Sequence, residues 1–473
     1  MDGYRVAQIR AAEAVAFASV DPDILMQRAA AGLAAAILRR LDGVYGSRAL
    51  LVVGSGNNGG DALWAGVRLA RRGVSVRAWR TGTQVHAAGW TAFLAAGGRE
   101  VSAAEALADL GRYHFVVDAV AGIGSRPGLD EPVAGFAEDC RTSGARVVAV
   151  DLPSGLAPEP PFVDAPHFRA ALTVTFGGYK LCQLTEPGRS ACGEVELVDI
   201  GLELGEPEVH QWTPAEVAAA WPVPDQAADK YSRGVVGLDT GSPDFPGAAV
   251  LSAAGAIHAG AGMVRHLGPQ PVVTRVLDAF PNVVATQGRV QALVIGSGWG
   301  QRKDTKTVAK LIATGVPLVI DADALRQLPE TGRPTALLTP HAGELAYLLG
   351  MERSSVLADP LAAVRRAAER TGCTVLLKGA TQYVAGPEGG TVQLAVPGPA
   401  WTAQAGSGDV LAGIAGTLLA AGLATPTAAV LAASVQAVAA FRSPGPVPPQ
   451  QLAATLPTVI SALLDAGPSA RLA

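Results

Sequence analysis

The sequence predicts two consecutive α/β domains, each a parallel sheet flanked by helices, and three observations carry that expectation. Short apolar runs rich in β-branched residues alternate with helix-length segments along the chain. Runs such as Leu50-Leu51-Val52-Val53 are continuously apolar, which suits strands covered on both faces. The 473 residues also exceed what one core of about 250–300 residues can hold.

In the first half the expected strands are 49–53, 74–79, 115–118, 147–151 and 172–176. Helices on both faces of such a sheet give a three-layer, Rossmann-like α/β/α domain, expected over 1–210. Proline and polar residues interrupt the pattern at Trp212-Thr213-Pro214 and Trp221-Pro222-Val223-Pro224-Asp225, so a linker is expected at 211–228. Alternation restarts with strands at 234–238, 263–267, 292–295, 318–321, 336–339 and 374–378, a second α/β domain over 229–473. The halves share no alignable motif, so they are not read as a duplication.

With 49% hydrophobic and 16% charged residues, the chain has ample apolar surface to bury, which excludes disorder. A net charge of −4 with interspersed signs offers no basic stripe, so no nucleic-acid partner is expected. Cys140, Cys182, Cys192 and Cys373 form no CxxC pair and read as reduced thiols. The start Met1-Asp2-Gly3-Tyr4-Arg5 lacks a secretory pattern, and a cytoplasmic location is expected. Residues 410–441 carry no charge, but Pro426 divides them into pieces shorter than the roughly 20 residues a bilayer needs. Gly413, Gly416 and Gly422 suit close packing inside a protein, so no membrane partner is expected.

Two glycine-rich turns carry the chemistry. Gly54-Ser55-Gly56-Asn57-Asn58-Gly59 formally matches GxGxxG, after a strand and before a helix expected over 62–71. A dinucleotide loop wants an acidic residue about twenty positions on, and Arg77-Ala78-Trp79-Arg80 stands there; an arginine suits a 2′-phosphate, which keeps that reading open. Asn57, Asn58 and Asp61 occupy places a pyrophosphate loop keeps small, and their oxygens suit a hard cation or a substrate. Asp118 and Asp151 end later strands, and carboxyl ends of parallel strands share one crevice. Asp61 and Asp151 also read as helix caps.

NNGGD, DAxxGxG and DxPSG in this order, with Thr173-Val174-Thr175-Phe176, Lys180, Pro187-Gly188 and Asp199-Ile200-Gly201, resemble the NAD(P)H-hydrate epimerase domain over nearly all of the first half. The resemblance implies potassium ligands at Asn58, Asp118 and Ser154. It implies substrate contacts at Asn57, Asn58, Gly59, Gly60, Asp61, Gly122, Ile123, Gly124, Ser125, Arg126, Pro127, Gly128 and Asp151. Asp118 or Asp151 is the expected catalytic carboxylate. The chain departs from the family at Ala62 and at Gln27-Arg28, where a carboxylate is lost.

In the second half, Gly406-Ser407-Gly408-Asp409 leads into an apolar helix expected over 410–421. Such a turn aims free N–H groups and the positive end of the helix dipole at an anion, and there is no P-loop motif. Asp409 can take a proton from a substrate hydroxyl while the amides steady a phosphoryl group. With Leu376-Leu377-Lys378-Gly379-Ala380 the turn resembles the ribokinase-like fold. Ala259-Gly260-Ala261-Gly262, Ile295-Gly296-Ser297-Gly298-Trp299-Gly300, Asp321-Ala322-Asp323-Ala324-Leu325 and Thr339-Pro340-His341-Ala342-Gly343-Glu344 narrow the likeness to the ADP- or ATP-dependent NAD(P)H-hydrate dehydratases.

That resemblance implies hydrate contacts at Ala261, Gly298, His341, Ala342, Gly343, Glu344 and Asp409. It places the nucleotide on Lys378, Gly379, Ala380, Thr381, Gln382, Gly406, Ser407 and Gly408, with Asp409 catalytic. His341 also reads as a helix-start packing residue, and Asp321 and Asp323 as turn or cap residues. Ser434-Val435-Gln436-Ala437 stands where the family has a histidine-glycine segment. The cofactors implied are K⁺ for the first domain and Mg²⁺ with ADP or ATP for the second. The partners are the hydrates of NADH and NADPH and an adenine nucleotide, in a homo-oligomer. A vitamin-precursor kinase of the same fold, with a non-catalytic first domain, is the alternative.

Overall fold

From Ala49 to Val53 every residue is buried, and successive side chains serve opposite faces. Leu51 and Val53 join a core with helices Pro22–Leu38, Asn57–Arg71 and Ala87–Ala95, whereas Leu50 and Val52 join one with Ala103–Ala108 and Val133–Ser143. Each such Val or Leu contributes about 1.5–3 kcal/mol by leaving water, which is why the run shows no polar alternation. The computed structural model describes residues 1–301, 305–328 and 336–467.

The chain divides into two units, Asp2–Glu208 and Val209 onward together with Met1. In the first, seven parallel strands run Arg99–Glu100, Ser75–Arg80, Arg48–Val53, Phe115–Ala119, Val147–Val150, Leu172–Phe176, Glu194–Val198. Helices cover both faces, giving the expected three layers. The order reverses between Arg48–Val53 and Phe115–Ala119, and a crevice opens there at the strands' carboxyl ends. A short parallel pair joins Asp2–Tyr4 to Tyr179–Lys180, with Tyr4 opposite Lys180.

In the second unit the order is Met263–His266, Val235–Asp239, Ala292–Ile295, Leu318–Ile320, Ala336–Leu338, Thr374–Leu377, Tyr383–Ala385, Val392–Leu394, Val209–Gln211. The pairs on either side of Tyr383–Ala385 are antiparallel, and the other pairs are parallel. The uncharged stretch forms two buried helices, Ser407–Ala420 and Thr425–Arg442. The break falls at 421–424, and Pro426 sits in the first turn of the second helix, where its missing N–H costs nothing. A Cβ on Gly413 would lie 2.1 Å from the Ser252 carbonyl, so helix Pro246–His258 crosses at backbone contact and Thr417 Oγ1 donates to the Ala256 carbonyl at 3.0 Å. Among the described residues no helix is long and apolar enough to cross a membrane.

Two helices begin earlier than expected. The first starts at Asn57 rather than Ala62 and the second at Ser407 rather than Val410, because a glycine turn precedes each and frees the following N–H groups to start the helix. The segment 211–228 carries helix Pro214–Ala220, closed by a Thr213–Glu216 capping box.

Candidate active sites

The chain leaves strand Arg48–Val53 through Gly54, where a Cβ would fall 1.9 Å from the Val120 carbonyl; only glycine lets the two backbones meet. Helix Asn57–Arg71 then starts in the crevice, so Asn57 to Asp61 form its first turns rather than a loop. Asn57, Asn58, Asp61, Gly122, Ile123, Gly124, Ser125 and Asp151 line a cavity of about 530 Å³, together with Glu13, Arg10, His86 and Lys180. Gly59 and Gly60 are buried behind that wall, Arg126 pairs with Asp130 at 2.7 Å, and Gly128 donates to the Gly155 carbonyl. Arg126, Pro127 and Gly128 do not line the cavity.

Asn58, Asp118 and Ser154 meet. Asn58 Nδ2 donates to the Val150 and Ala121 carbonyls at 2.7 and 3.3 Å, and its Oδ1 faces Gly122. The Ser154 amide donates to Asp118 Oδ2 at 2.7 Å, and Ser154 Oγ accepts from the Ala121 amide at 2.9 Å. Asp118 is wholly buried and is not a cavity-lining residue. Burial pushes its carboxyl up to about 6, against the hydrogen bonds from Ser154 and Val120.

Asp151 adopts φ 69°, the left-handed region that non-glycine residues avoid, and its carboxylate takes an ion pair from Lys180. Thr175 Oγ1 donates to the same oxygen at 3.1 Å, and Lys180 Nζ also donates to Thr175 Oγ1 at 2.9 Å and the Phe176 carbonyl at 3.0 Å. Asp61 is 6% exposed and accepts no hydrogen bond among the described residues. Burial, then the charges of Asp151 and Glu13, raise it well above the usual carboxylate range. Neither aspartate caps a helix: Asp61 is the fifth residue of its helix, and the Asp151 carboxylate is committed to Lys180.

In the second unit Gly406 takes φ 94°, and Ser407, Gly408 and Asp409 form the first turn of helix Ser407–Ala420. A Cβ on Gly408 would lie 3.2 Å from Lys378 Nζ, so that ammonium reaches the turn. Lys378 is paired with Asp321 at 2.6 Å, and Thr339 Oγ1 and Ser297 Oγ donate to Asp321 at 2.8 and 3.0 Å. Asp321 is therefore a hub rather than a cap; Asp323 instead accepts from the Gly300 amide at 2.8 Å. Burial first, then the Asp321 charge, raises Asp409 to about 7, against Ser297 and Lys378. For Lys378 burial favours the neutral form, but the charges of Asp321, Glu344 and Asp409 outweigh it and raise the ammonium.

The Lys378 amide donates to the Pro340 carbonyl at 2.9 Å, which sets Lys378 to Gln382 beside His341 to Glu344. His341 caps helix Ala342–Leu349: Nδ1 accepts from the Gly343 and Glu344 amides at 3.0 and 3.2 Å, while the ring stays 61% exposed. Gly379 and Ala380 are exposed, and Thr381 and Gln382 lead into strand Tyr383–Ala385. Gly298, with φ 67°, adjoins Ser297, and Ala261 lies in the turn after helix Pro246–His258. Where the family histidine is missing, Gln436 Nε2 donates to the Ser407 carbonyl at 2.9 Å and Ser434 Oγ accepts from the Val396 amide at 3.0 Å. Gln436 thus holds the glycine turn from behind. Gln436→Leu should raise the KM for nucleotide about tenfold, the worth of one such bond, with kcat within about threefold. Initial rates against ATP concentration check this, and an unchanged KM removes Gln436 from that role.

Sequence reasoning missed Glu13, Lys180 as the partner of Asp151, and Asp321 as a hub. Gln27 and Arg28, where the family has a carboxylate, bind Arg68 and the Ile200 carbonyl at 2.8 and 2.7 Å.

Two families match in order along the chain: one described as YjeF-related protein N-terminus over residues 22–182, the other as NAD(P)H-hydrate dehydratase over residues 236–458. A bifunctional NAD(P)H-hydrate repair enzyme of Mycobacterium leprae is 44% identical over 94% of this chain and 95% of its own length. One from Corynebacterium glutamicum is 34% identical over 88% of this chain and 87% of its own. An ADP/ATP-dependent NAD(P)H-hydrate dehydratase structure from Bacillus subtilis, co-crystallised with ATP and Mg²⁺, aligns over 54% of this chain and 99% of that chain at 24% identity and TM-score 0.50, and a ribokinase-like superfamily protein from Enterococcus faecalis over 55% and 98% at 20% identity and TM-score 0.50, which shows the ribokinase-like fold. With both halves matched in one order and likeness running nearly the whole length, the chain belongs to the family of bifunctional NAD(P)H-hydrate repair enzymes.

Proposed function

We propose that this chain repairs hydrated NADH and NADPH, its first unit interconverting the R and S hydrates at ring carbon 6 and its second dehydrating the S hydrate at the expense of ADP or ATP. The observation that carries the reading is Asp409, raised to about 7 at the mouth of a glycine turn that Lys378 reaches.

Hydroxide is a poor leaving group, so the carbon 6 oxygen must first be phosphorylated. Asp409 accepts the hydroxyl proton as that oxygen takes the terminal phosphoryl group of the nucleotide. The turn amides and Lys378 stabilise the transferring charge. The ring nitrogen lone pair then expels phosphate, breaking the carbon–oxygen bond, and loss of a proton from carbon 5 restores the dihydronicotinamide. Magnesium, when bound with the nucleotide, would neutralise charge on the phosphoryl oxygens, and Asp321, 2.6 Å from the Lys378 ammonium that reaches the turn, is the carboxylate that would hold it.

In the first unit, Asn58 Oδ1, the Asp118 carboxylate, Ser154 Oγ and nearby carbonyls make an all-oxygen set with one carboxylate, which suits a monovalent hard cation such as potassium. Such an ion would offset the buried charge of Asp118. Four buried cysteines, none in a disulfide, and a coenzyme substrate fit a cytoplasmic enzyme. Mass spectrometry of the products tests the reading: it expects NADH and inorganic phosphate in equal amounts. An accumulating phosphorylated product would instead mark a small-molecule kinase.

A further inference from the structure

Epimerisation through a planar iminium has a requirement that a single carboxylate does not meet. Hydroxyl leaves one face of carbon 6 as water, and water returns to the other, so a proton must be given on one face and taken on the opposite one. The cavity of the first unit holds two carboxyl groups suited to that task, brought in by different elements. Asp61 comes from helix Asn57–Arg71, buried and with no hydrogen-bond partner among the described residues. Glu13 comes from helix Val6–Phe17 and lines the same cavity. Of the other carboxylates, Asp151 is committed to Lys180 and Asp118 to the Ser154 amide, while Asp23 is exposed.

Resting on the proposed function, we infer that Glu13 and Asp61 are the catalytic acid–base couple of the epimerase site, each serving one face of carbon 6. The acid form of one carboxyl protonates the leaving hydroxyl; the carbon–oxygen bond breaks with both electrons going to oxygen, and the ring nitrogen lone pair closes the iminium. Water then adds to the opposite face and gives a proton to the other carboxylate, and the two groups exchange roles in the reverse direction. Burial first, and then the charge of Asp151, raises both carboxyls above their ordinary range, which favours the acid form of each. Arg10 and Lys180 oppose this on Glu13. Asp23 and His86 also line the cavity.

The test uses the full chain without nucleotide, each purified hydrate epimer, and ¹⁸O-labelled water, with epimer exchange and label uptake followed together by chromatography and mass spectrometry. Glu13→Gln should slow epimer exchange about 100-fold, the worth of one acid–base group. Label uptake into the epimer whose hydroxyl faces Asp61 should fall less than about tenfold, because departure and return on that face need only the remaining carboxyl. Asp61→Asn should show the same split for the other epimer, and Glu13→Asp should recover part of the exchange. Equal losses of exchange and label uptake mark a structural role and overturn the inference, as does a Glu13→Gln rate within about threefold of the unaltered chain. If the unaltered chain exchanges no hydrate, the proposed function of this unit fails first and takes the inference with it.

Discussion

Asp409→Asn should abolish nucleotide-dependent recovery of 340 nm absorbance from the S hydrate, a loss of about 10³–10⁴-fold in kcat. The amide has nearly the carboxylate's shape but cannot take the hydroxyl proton, so the nucleotide should still bind at its usual affinity. The pH dependence follows from the same group. On the proposed mechanism Asp409 acts as a base, and with its carboxyl raised to about 7, kcat/KM should rise with pH through about 7 and level off above it. Asp321→Asn removes a like charge and releases Lys378 to face Asp409; both changes favour the ionised form, so the rise should move to lower pH. A profile left in place by Asp321→Asn would contradict the electrostatic account of this site.

Lys180→Met should destabilise the first unit by about 3–5 kcal/mol. Lys180 is 1% exposed and Asp151 6%, so removing the ammonium strands a carboxylate already held at a left-handed backbone position. Amide exchange in strand Leu172–Phe176, whose Thr175 belongs to the same network, reports the opening free energy locally. Adding Asp151→Asn should restore part of the loss, because the uncompensated charge goes with it. A loss under about 1 kcal/mol would show that solvent already reaches the pair.

The strand cores were legible because burial on both faces writes itself as unbroken apolar runs; Arg48–Val53 and Ala292–Ile295 match their expected positions to within a residue. Helix starts were less so. The NNGGD and GSGD segments look like loops by composition, yet the glycines there pack against neighbouring backbone or groups rather than breaking the helix, and both motifs sit in first turns. Asn58, Asp118 and Ser154 meet in the fold because their motifs lie at or just after the carboxyl ends of strands Arg48–Val53, Phe115–Ala119 and Val147–Val150. Glu13 left no such trace. It is one of several polar residues on an alanine-rich helix, and only the fold of that helix over the crevice brings it to Asp61. Asp321 was ambiguous for a related reason: DADAL matches a cap by spacing, and its three partners come from three distant segments.

The most direct measurement gives the full chain an R and S hydrate mixture with ATP or ADP and follows absorbance at 340 nm to completion. The account predicts that the whole pool returns to NADH, that omitting nucleotide stops recovery while epimers still interchange, and that phosphate appears in step. Recovery without nucleotide, or a halt once the S share is spent, would contradict it.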